Sequence, residues 1–162
     1  MSNGIKVTKR SGHIEPLDLD KMHLMVEEAT VGLAGVSASQ VEMTSGIQFY
    51  DGITTQEIQE ILIKSASDLI DLEHPNYQFV AARLLLFALR KQLYGKMREL
   101  PHLEQHIYSC VNKDVYDANI YSKYSKEEIE KANSFIDHDR DFLFTYAGLR
   151  QVVDKYLVQD RS

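Results

Sequence analysis

Gly4-Ile5-Lys6-Val7-Thr8-Lys9-Arg10-Ser11-Gly12-His13-Ile14-Glu15-Pro16 has a pattern that no later part of the chain repeats. Ile5 and Val7 alternate with Lys6 and Thr8, which is the period of a strand with one face buried. Ser11-Gly12 supplies a turn, and His13-Ile14-Glu15 resumes an extended pattern up to Pro16. This stretch reads as a β-hairpin at the head of a chain that is otherwise helical.

From Asp18 onward the period lengthens. Leu19, Met22, Val26 and Ala29 recur at spacings of three and four, placing one apolar stripe toward a core, and Gly32 and Gly35 end that helix. Ser39 and Glu42 have the spacing of a capping box, so a second helix is expected from about Gln40 to about Tyr50, where Asp51-Gly52 breaks it. Thr54 and Glu57 repeat the box ahead of Ile58, Ile61, Leu62, Leu69 and Ile70, the clearest helical run in the chain. Residues 77–94 form a fourth helix, preceded by Pro75 and closed by Gly95, and the run Leu84-Leu85-Leu86-Phe87 leaves it so little polar face that it should be central. Beyond Pro101, helices are expected over 102–111, over 125–135 with a box at Ser125 and Glu128, and over 139–157. The fold class is therefore mainly α, with a hairpin and four helices in residues 1–98 and a shorter helical segment in 99–162.

A chain of 162 residues makes one domain, or two small ones sharing a core. Its 18 basic and 24 acidic residues leave a net charge of -6, which argues against a nucleic-acid partner held by phosphate neutralisation. The single cysteine, Cys110, allows no intrachain disulfide, no cysteine-based zinc cluster and no dithiol, as expected of a reducing compartment. The N-terminus has no apolar leader, and the longest apolar run, 84–89, is far too short to cross a bilayer. A cytoplasmic protein with no membrane partner is the expectation.

Cations on so acidic a chain attract attention. Lys9 and Arg10 on the hairpin, Lys21 on the first helix and Lys91 near the end of the fourth would serve a polyanion if they converged, with the helix start at Asp18 and Leu19 adding free N–H groups. Taken singly they are solvated surface residues. No glycine-rich phosphate loop of either common type is present. His102 and His106 stand four residues apart, but no third metal ligand is identified; Cys110 reads as a small packing residue without an activating partner. Asp137-His138-Asp139-Arg140-Asp141 could be an acid–base site, although Asp residues opening a helix account for it better. Tyr146 and Tyr156 are expected to pack.

Two stretches read together resemble a known family. Val7-Thr8-Lys9-Arg10-Ser11-Gly12 with Glu15, Asp20-Lys21 and His23, then Ile47-Gln48-Phe49-Tyr50-Asp51-Gly52-Ile53 with Thr55, then Ala81-Ala82-Arg83-Leu84 and Leu89-Arg90-Lys91, resemble the ATP-cone, a regulatory nucleotide-binding module. Phe135-Ile136-Asp137-His138-Asp139-Arg140-Asp141, Tyr146-Ala147-Gly148-Leu149 and Lys155-Tyr156-Leu157-Val158-Gln159-Asp160-Arg161 resemble the N-terminal helical region of class I ribonucleoside-diphosphate reductase large subunits. The resemblance implies an ATP-cone in 1–98 and the start of the reductase helical domain in 99–162. It implies ATP or dATP, with Mg2+, as an allosteric effector held by Lys9, Arg10, Glu15, Pro16, Leu17, Asp18, Leu19, Asp20, Lys21, Thr55 and Lys91. Lys9 and Arg10 would meet the phosphates, Glu15 to Lys21 would wrap the nucleotide, and Thr55 and Lys91 would complete the pocket.

Four positions depart from that family's pattern. Asp18 stands where an amide is common, Gln59 and Ala88 stand where histidines are frequent, and Glu57 replaces a shorter acid, so ATP and dATP discrimination should be altered and dATP inhibition lost. The family's catalytic cysteines lie in a downstream α/β barrel, and one cysteine cannot supply both a thiyl radical and a dithiol. The chain is therefore expected to have no catalytic residue and no activity alone. It reads as a truncated piece or a split-gene product that works with a barrel-bearing remainder of the large subunit and the radical-generating small subunit. Alternatives are a stand-alone ATP/dATP-sensing regulator, like the repressor that joins an ATP-cone to a cysteine-rich zinc ribbon, or a degenerate cone with an assembly role.

Overall fold

Val7, alternating with exposed Lys6, turns a buried face inward, and this fixes the register of a small sheet. The computed structural model describes residues 4–158, so Gln159, Asp160 and Arg161 of the last quoted run lie outside it. β1 (Lys6–Thr8) pairs antiparallel with β2 (Ile14–Pro16), setting Val7 opposite Glu15, as the hairpin pattern implies. A third strand, β3 (Ile53–Thr54), lies parallel to β1 with Val7 opposite Ile53 and Thr8 opposite Thr54, giving the order β2-β1-β3. The sequence pattern does not show β3, because two residues carry no period. Its marker is Ile53, fully buried beside the exposed turn of Asp51 and Gly52.

The chain divides into two compact units, the first holding residues up to Leu89 and those from Phe142 on, the second Arg90–Asp141. In the first unit, α1 (Leu19–Thr30), α2 (Ala38–Gly46), α3 (Thr55–Asp68) and most of α4 (Tyr77–Tyr94) follow the expected order. α1 packs on α2 and α2 on α3. Val26, Ala29, Val41, Ile53, Leu62, Ala66, Val80 and Ala81 are sealed from solvent, and Leu84 to Phe87 are buried all round α4, the central helix. Among the described residues Tyr77 is the largest wholly buried side chain; its hydroxyl accepts from Ser37 N (3.0 Å) and donates to Gln40 Oε1 (3.2 Å), so its polar end is satisfied. The Arg83 guanidinium donates to the carbonyls of Ala29 (3.2 Å) and Val31 (2.7 Å) at the end of α1 and lies 5.5 Å from the Phe142 ring centre. Phe142 also meets Phe87 edge-on at 6.1 Å.

One helix start, one helix end and one whole helix differ from the sequence reading. α2 is capped by Ser37, whose Oγ accepts from Gln40 N, and not by Ser39, because Glu42 turns to His23 on α1 rather than back to its own helix start. It also stops at Gly46, where residues 46–49 tighten into turns. The expected helix over 139–157 is two elements: a 3-10 turn, His138–Leu143, and α8 (Tyr146–Lys155) in the first unit. Thr145 divides them, since its side chain accepts from Gly148 N (3.2 Å) and starts a new helix. Tyr156, just past α8, is exposed rather than packed.

The second unit is built on α5 (Leu103–Asn112) and α7 (Lys126–Ser134), with a short α6 (Ile120–Lys123) between them that no sequence signal announced. Ile107 and Ile129 are buried, and Asn133 Oδ1 takes the Leu103 N–H at 2.9 Å. The Ser125–Glu128 capping box is complete. Arg90, buried near the end of α4, donates to Asp141 Oδ2 at 2.8 Å. The cluster at 137–141 opens a 3-10 element and not a long helix: Asp139 and Asp141 lie in its first turn, Asp137 accepts from Asp139 N, and Asp141 neutralises a buried cation. Asp141→Asn removes the carboxylate that Arg90 meets at 2.8 Å, and about 2 kcal/mol of stability should be lost. Urea denaturation measures it; an unchanged midpoint would refute the pairing.

Candidate functional site

The sheet decides which of the expected site residues meet. Thr8, at the end of β1, lies between Ile14 of β2 and Thr54 of β3. Lys9 and Thr55 follow Thr8 and Thr54, and because β1 and β3 are parallel, both leave the sheet at the same end. Lys9 Nζ reaches Glu15 Oε1 at 2.8 Å, with both side chains about one-third exposed. Backbone bonds Lys9 N to His13 O (2.8 Å) and Gly12 N to Lys9 O (2.9 Å) close the hairpin turn. Gly12 occupies it at φ +81°, a conformation that L side chains resist, and Arg10 sits exposed in the same turn.

Pro16, Leu17, Asp18, Leu19, Asp20 and Lys21 leave from the other end of β1. Lys6 pairs with Pro16, and Leu17 N donates to Ile5 O at 2.8 Å. With about 3.3 Å per strand residue, the first and last residues of so short a strand are about 7 Å apart. Lys9 and Glu15 thus meet, Thr55 leaves the same end of the sheet, and the start of α1 lies at the other end. At that helix start Asp18 is the N-cap, its Oδ1 accepting from Lys21 N at 2.9 Å. The N–H groups of the first turn have no intrahelical acceptor and carry the positive end of the helix dipole. Asp18 therefore spends one carboxylate oxygen on its own helix before it meets any ligand.

The start of α3 is more tightly built. Glu57 Oε2 accepts from Thr54 N (2.8 Å) and Thr54 Oγ1 (2.7 Å), Glu57 N donates back to Thr54 Oγ1 (3.1 Å), and Tyr50 OH donates to Glu57 Oε1 (2.8 Å). Those bonds, the Thr54 backbone N–H first, hold the Glu57 carboxyl below the usual glutamate range. The loop before α3 is tied to β1: Lys6 N donates to Asp51 Oδ1 (2.9 Å), Gly52 N to Lys6 O (2.9 Å) and Thr8 Oγ1 to Gly52 O (3.1 Å). Glu57 is consequently an organiser of the Thr55 position and not a free acid facing a ligand. Gln59 on α3 and Ala88 on α4 are both half-buried.

Lys91 lies in the last turn of α4, in the second unit. That unit also separates the two histidines considered for a metal. His102 caps α5 and faces Glu130 Oε2 at 3.0 Å, whereas His106 sits between the rings of Tyr94 and Tyr116. Among the described residues no group of three side chains is arranged to hold a metal ion. Cys110 does have a neighbour that the sequence reading passed over: its Sγ is 3.5 Å from His106 Nε2, one helical turn away, a spacing that could have signalled it. No described helix is long and apolar enough to cross a membrane.

A three-stranded sheet with a lysine and a threonine leaving one end and a helix start at the other, followed by helices, defines a small, mainly helical module. Residues 5–92 match the family model described as the ATP cone domain, and the chain belongs to that family. Over 161 residues, 99% of this chain, it is 48% identical to the ribonucleoside-diphosphate reductase 1 subunit alpha of Escherichia coli K12. It is 48% identical to the subunit alpha of Buchnera aphidicola from Acyrthosiphon pisum, and 43% identical, over 160 residues, to that of Enterobacteria phage T4. The chain spans about 21% of the length of these relatives, in their N-terminal region.

The Glu57 geometry makes a pH-dependent prediction. A carboxyl held low in the folded state stabilises it fully above the ordinary glutamate range, and that contribution disappears as pH falls through the folded value. Glu57→Gln should therefore be less stable than the parent at pH 7, with the gap closing below about pH 4. Thermal unfolding at both pH values tests this; a gap that persists in acid would contradict the ionised capping box.

Proposed function

We propose that this chain is the allosteric nucleotide-binding part of a ribonucleoside-diphosphate reductase large subunit and governs the reduction of ribonucleotides from outside the catalytic centre. The observation that carries this reading is the parallel β1–β3 register, which sends Lys9 and Thr55 out of one end of a sheet whose other end opens α1. A nucleoside triphosphate, ATP or dATP with Mg2+ as its counter-ion, is the polyanion of this site. Lys9 turns from Glu15 toward phosphate, Arg10 adds charge from the turn, and Thr55 offers its hydroxyl and the start of α3. Pro16, Leu17, Asp18, Leu19, Asp20 and Lys21 wrap the remainder of the ligand along the start of α1, with Asp18 free to give its second oxygen to the sugar. Lys91 enters this reading through the family resemblance alone.

In this reading residues 1–98 are the cone and 99–162 begin the helical domain of the large subunit. The chain acts in the cytoplasm, with the barrel-bearing remainder of that subunit and the small subunit as partners, and performs no chemistry alone. Exposed Tyr108, Val115, Tyr121, Tyr124 and Phe135 in the second unit supply apolar surface for such a partner to cover.

Calorimetric titration with ATP and dATP is the direct test. Saturable binding of both is expected, and Lys9→Ala should weaken it at least tenfold, the loss of one charge-assisted contact of about 1.5 kcal/mol. Absence of binding to either nucleotide would overturn the reading. In the reconstituted enzyme, ATP should activate and dATP should not shut activity off; inhibition by dATP would refute the altered discrimination inferred from Asp18, Gln59 and Ala88.

A further inference from the structure

α1 carries a second set of charges on the side that holds Leu19. His23 is four residues beyond Leu19, one turn and about 6 Å along the axis, and so shares its face. His23 Nδ1 is 2.8 Å from Glu42 Oε1 on α2, and its Nε2 is 3.2 Å from Glu27 Oε1 on α1. A neutral imidazole has one N–H and can donate to one of these carboxylates; an imidazolium donates to both. Glu42 is the more enclosed acid, with 20% of its side chain exposed, so water compensates it least. Among the described residues, Glu27 from α1 and Glu42 from α2, the helix packed against it, are the charged groups that face the ring. The hydrogen bond to Glu42, followed by that residue's charge, raises the His23 pKa above its ordinary value.

We propose that His23, Glu27 and Glu42 form a proton-operated clasp between α1 and α2, and that its protonated state favours a bound nucleotide at the start of α1. The second half rests on the nucleotide-binding reading above. With the proton in place, one positive and two negative charges lie across the helix pair. Without it, two carboxylates from α1 and α2 face a neutral ring, and the local field beside the first turn of α1 becomes more negative. A polyanion and the His23 proton therefore favour each other, and the coupling must run both ways. The sign for stability is fixed by the raised folded value: the contribution is whole below pH 6.5 and is lost as pH rises through the folded pKa.

The test follows the His23 imidazole by NMR from pH 5 to 9, its resonance assigned with His23→Gln, in the absence and presence of saturating ATP. Without nucleotide, the ring should titrate above 6.5, and Glu42→Gln should bring it back toward that value; a titration at or below 6.5 that Glu42→Gln leaves unmoved overturns the clasp. With ATP, the midpoint should rise by about half a pH unit, equivalent to about threefold tighter binding at pH 6 than at pH 8. His23→Gln reports the pH dependence that belongs to the γ-phosphate itself, so only the excess in the parent counts. ATP that binds by calorimetry yet leaves the midpoint in place overturns the coupling and spares the nucleotide reading. If ATP does not bind at all, the nucleotide reading and the coupling both fall, and the nucleotide-free titration still decides the clasp.

Discussion

Val7 and Thr8 pair on one side with β2 and on the other with Ile53 and Thr54, and the geometry of the candidate site depends on that second pairing. A parallel neighbour is what aims Lys9 and Thr55, far apart in sequence, in the same direction. An isolated sheet of this size is marginal in water. Here it holds because Val7 and Ile53 are buried, and because the loop before β3 is fastened to β1 through Asp51 and Gly52. The same fastening delivers Thr54 as the cap of α3, so strand, cap and site residue are three consequences of one contact.

A net charge of -6 is a poor setting for a polyanion taken over the whole surface, but net charge does not describe a single site. Around the candidate site, Glu15 holds Lys9, Asp18 caps α1 and Glu57 completes the capping box of α3. Each acid is engaged by a donor from its own surroundings. Two of them complete helix starts, whose first turns carry the positive end of the helix dipole. These acids fix the local backbone through bonds within the protein. Arg90 and Asp141 show the same economy in the second unit, where a carboxylate from a 3-10 turn answers a buried guanidinium.

Much of this was legible along the chain. Local chemistry announces itself locally: the hairpin from alternation and Ser11-Gly12, the boxes at Thr54–Glu57 and Ser125–Glu128 from their spacing, and α4 from its continuous apolar run. The readings that differed involve residues that satisfy themselves at a distance. Ser39 and Glu42 have the spacing of a box, but Glu42 finds His23 on another helix, and Ser37 caps instead. The acids at 137–141 fit a helix start equally well until Arg90 is seen beside Asp141. α6 and β3 are too short for any period to show.

The candidate site divides along the same line. The sequence by itself determined the residue types: a lysine and an arginine in a hairpin turn, an acid-capped helix start, and a threonine opening a boxed helix, because turns, caps and amphipathic faces depend on neighbours within a few residues. Tertiary structure alone decided which of these share an end of the sheet, which acids are already engaged, and that His23 stands between two carboxylates from α1 and α2. The reason is physical. Pairing across β1 and β3 and packing of α1 on α2 join residues whose separation along the chain leaves no periodic trace, and only burial of the shared core brings them within hydrogen-bonding reach.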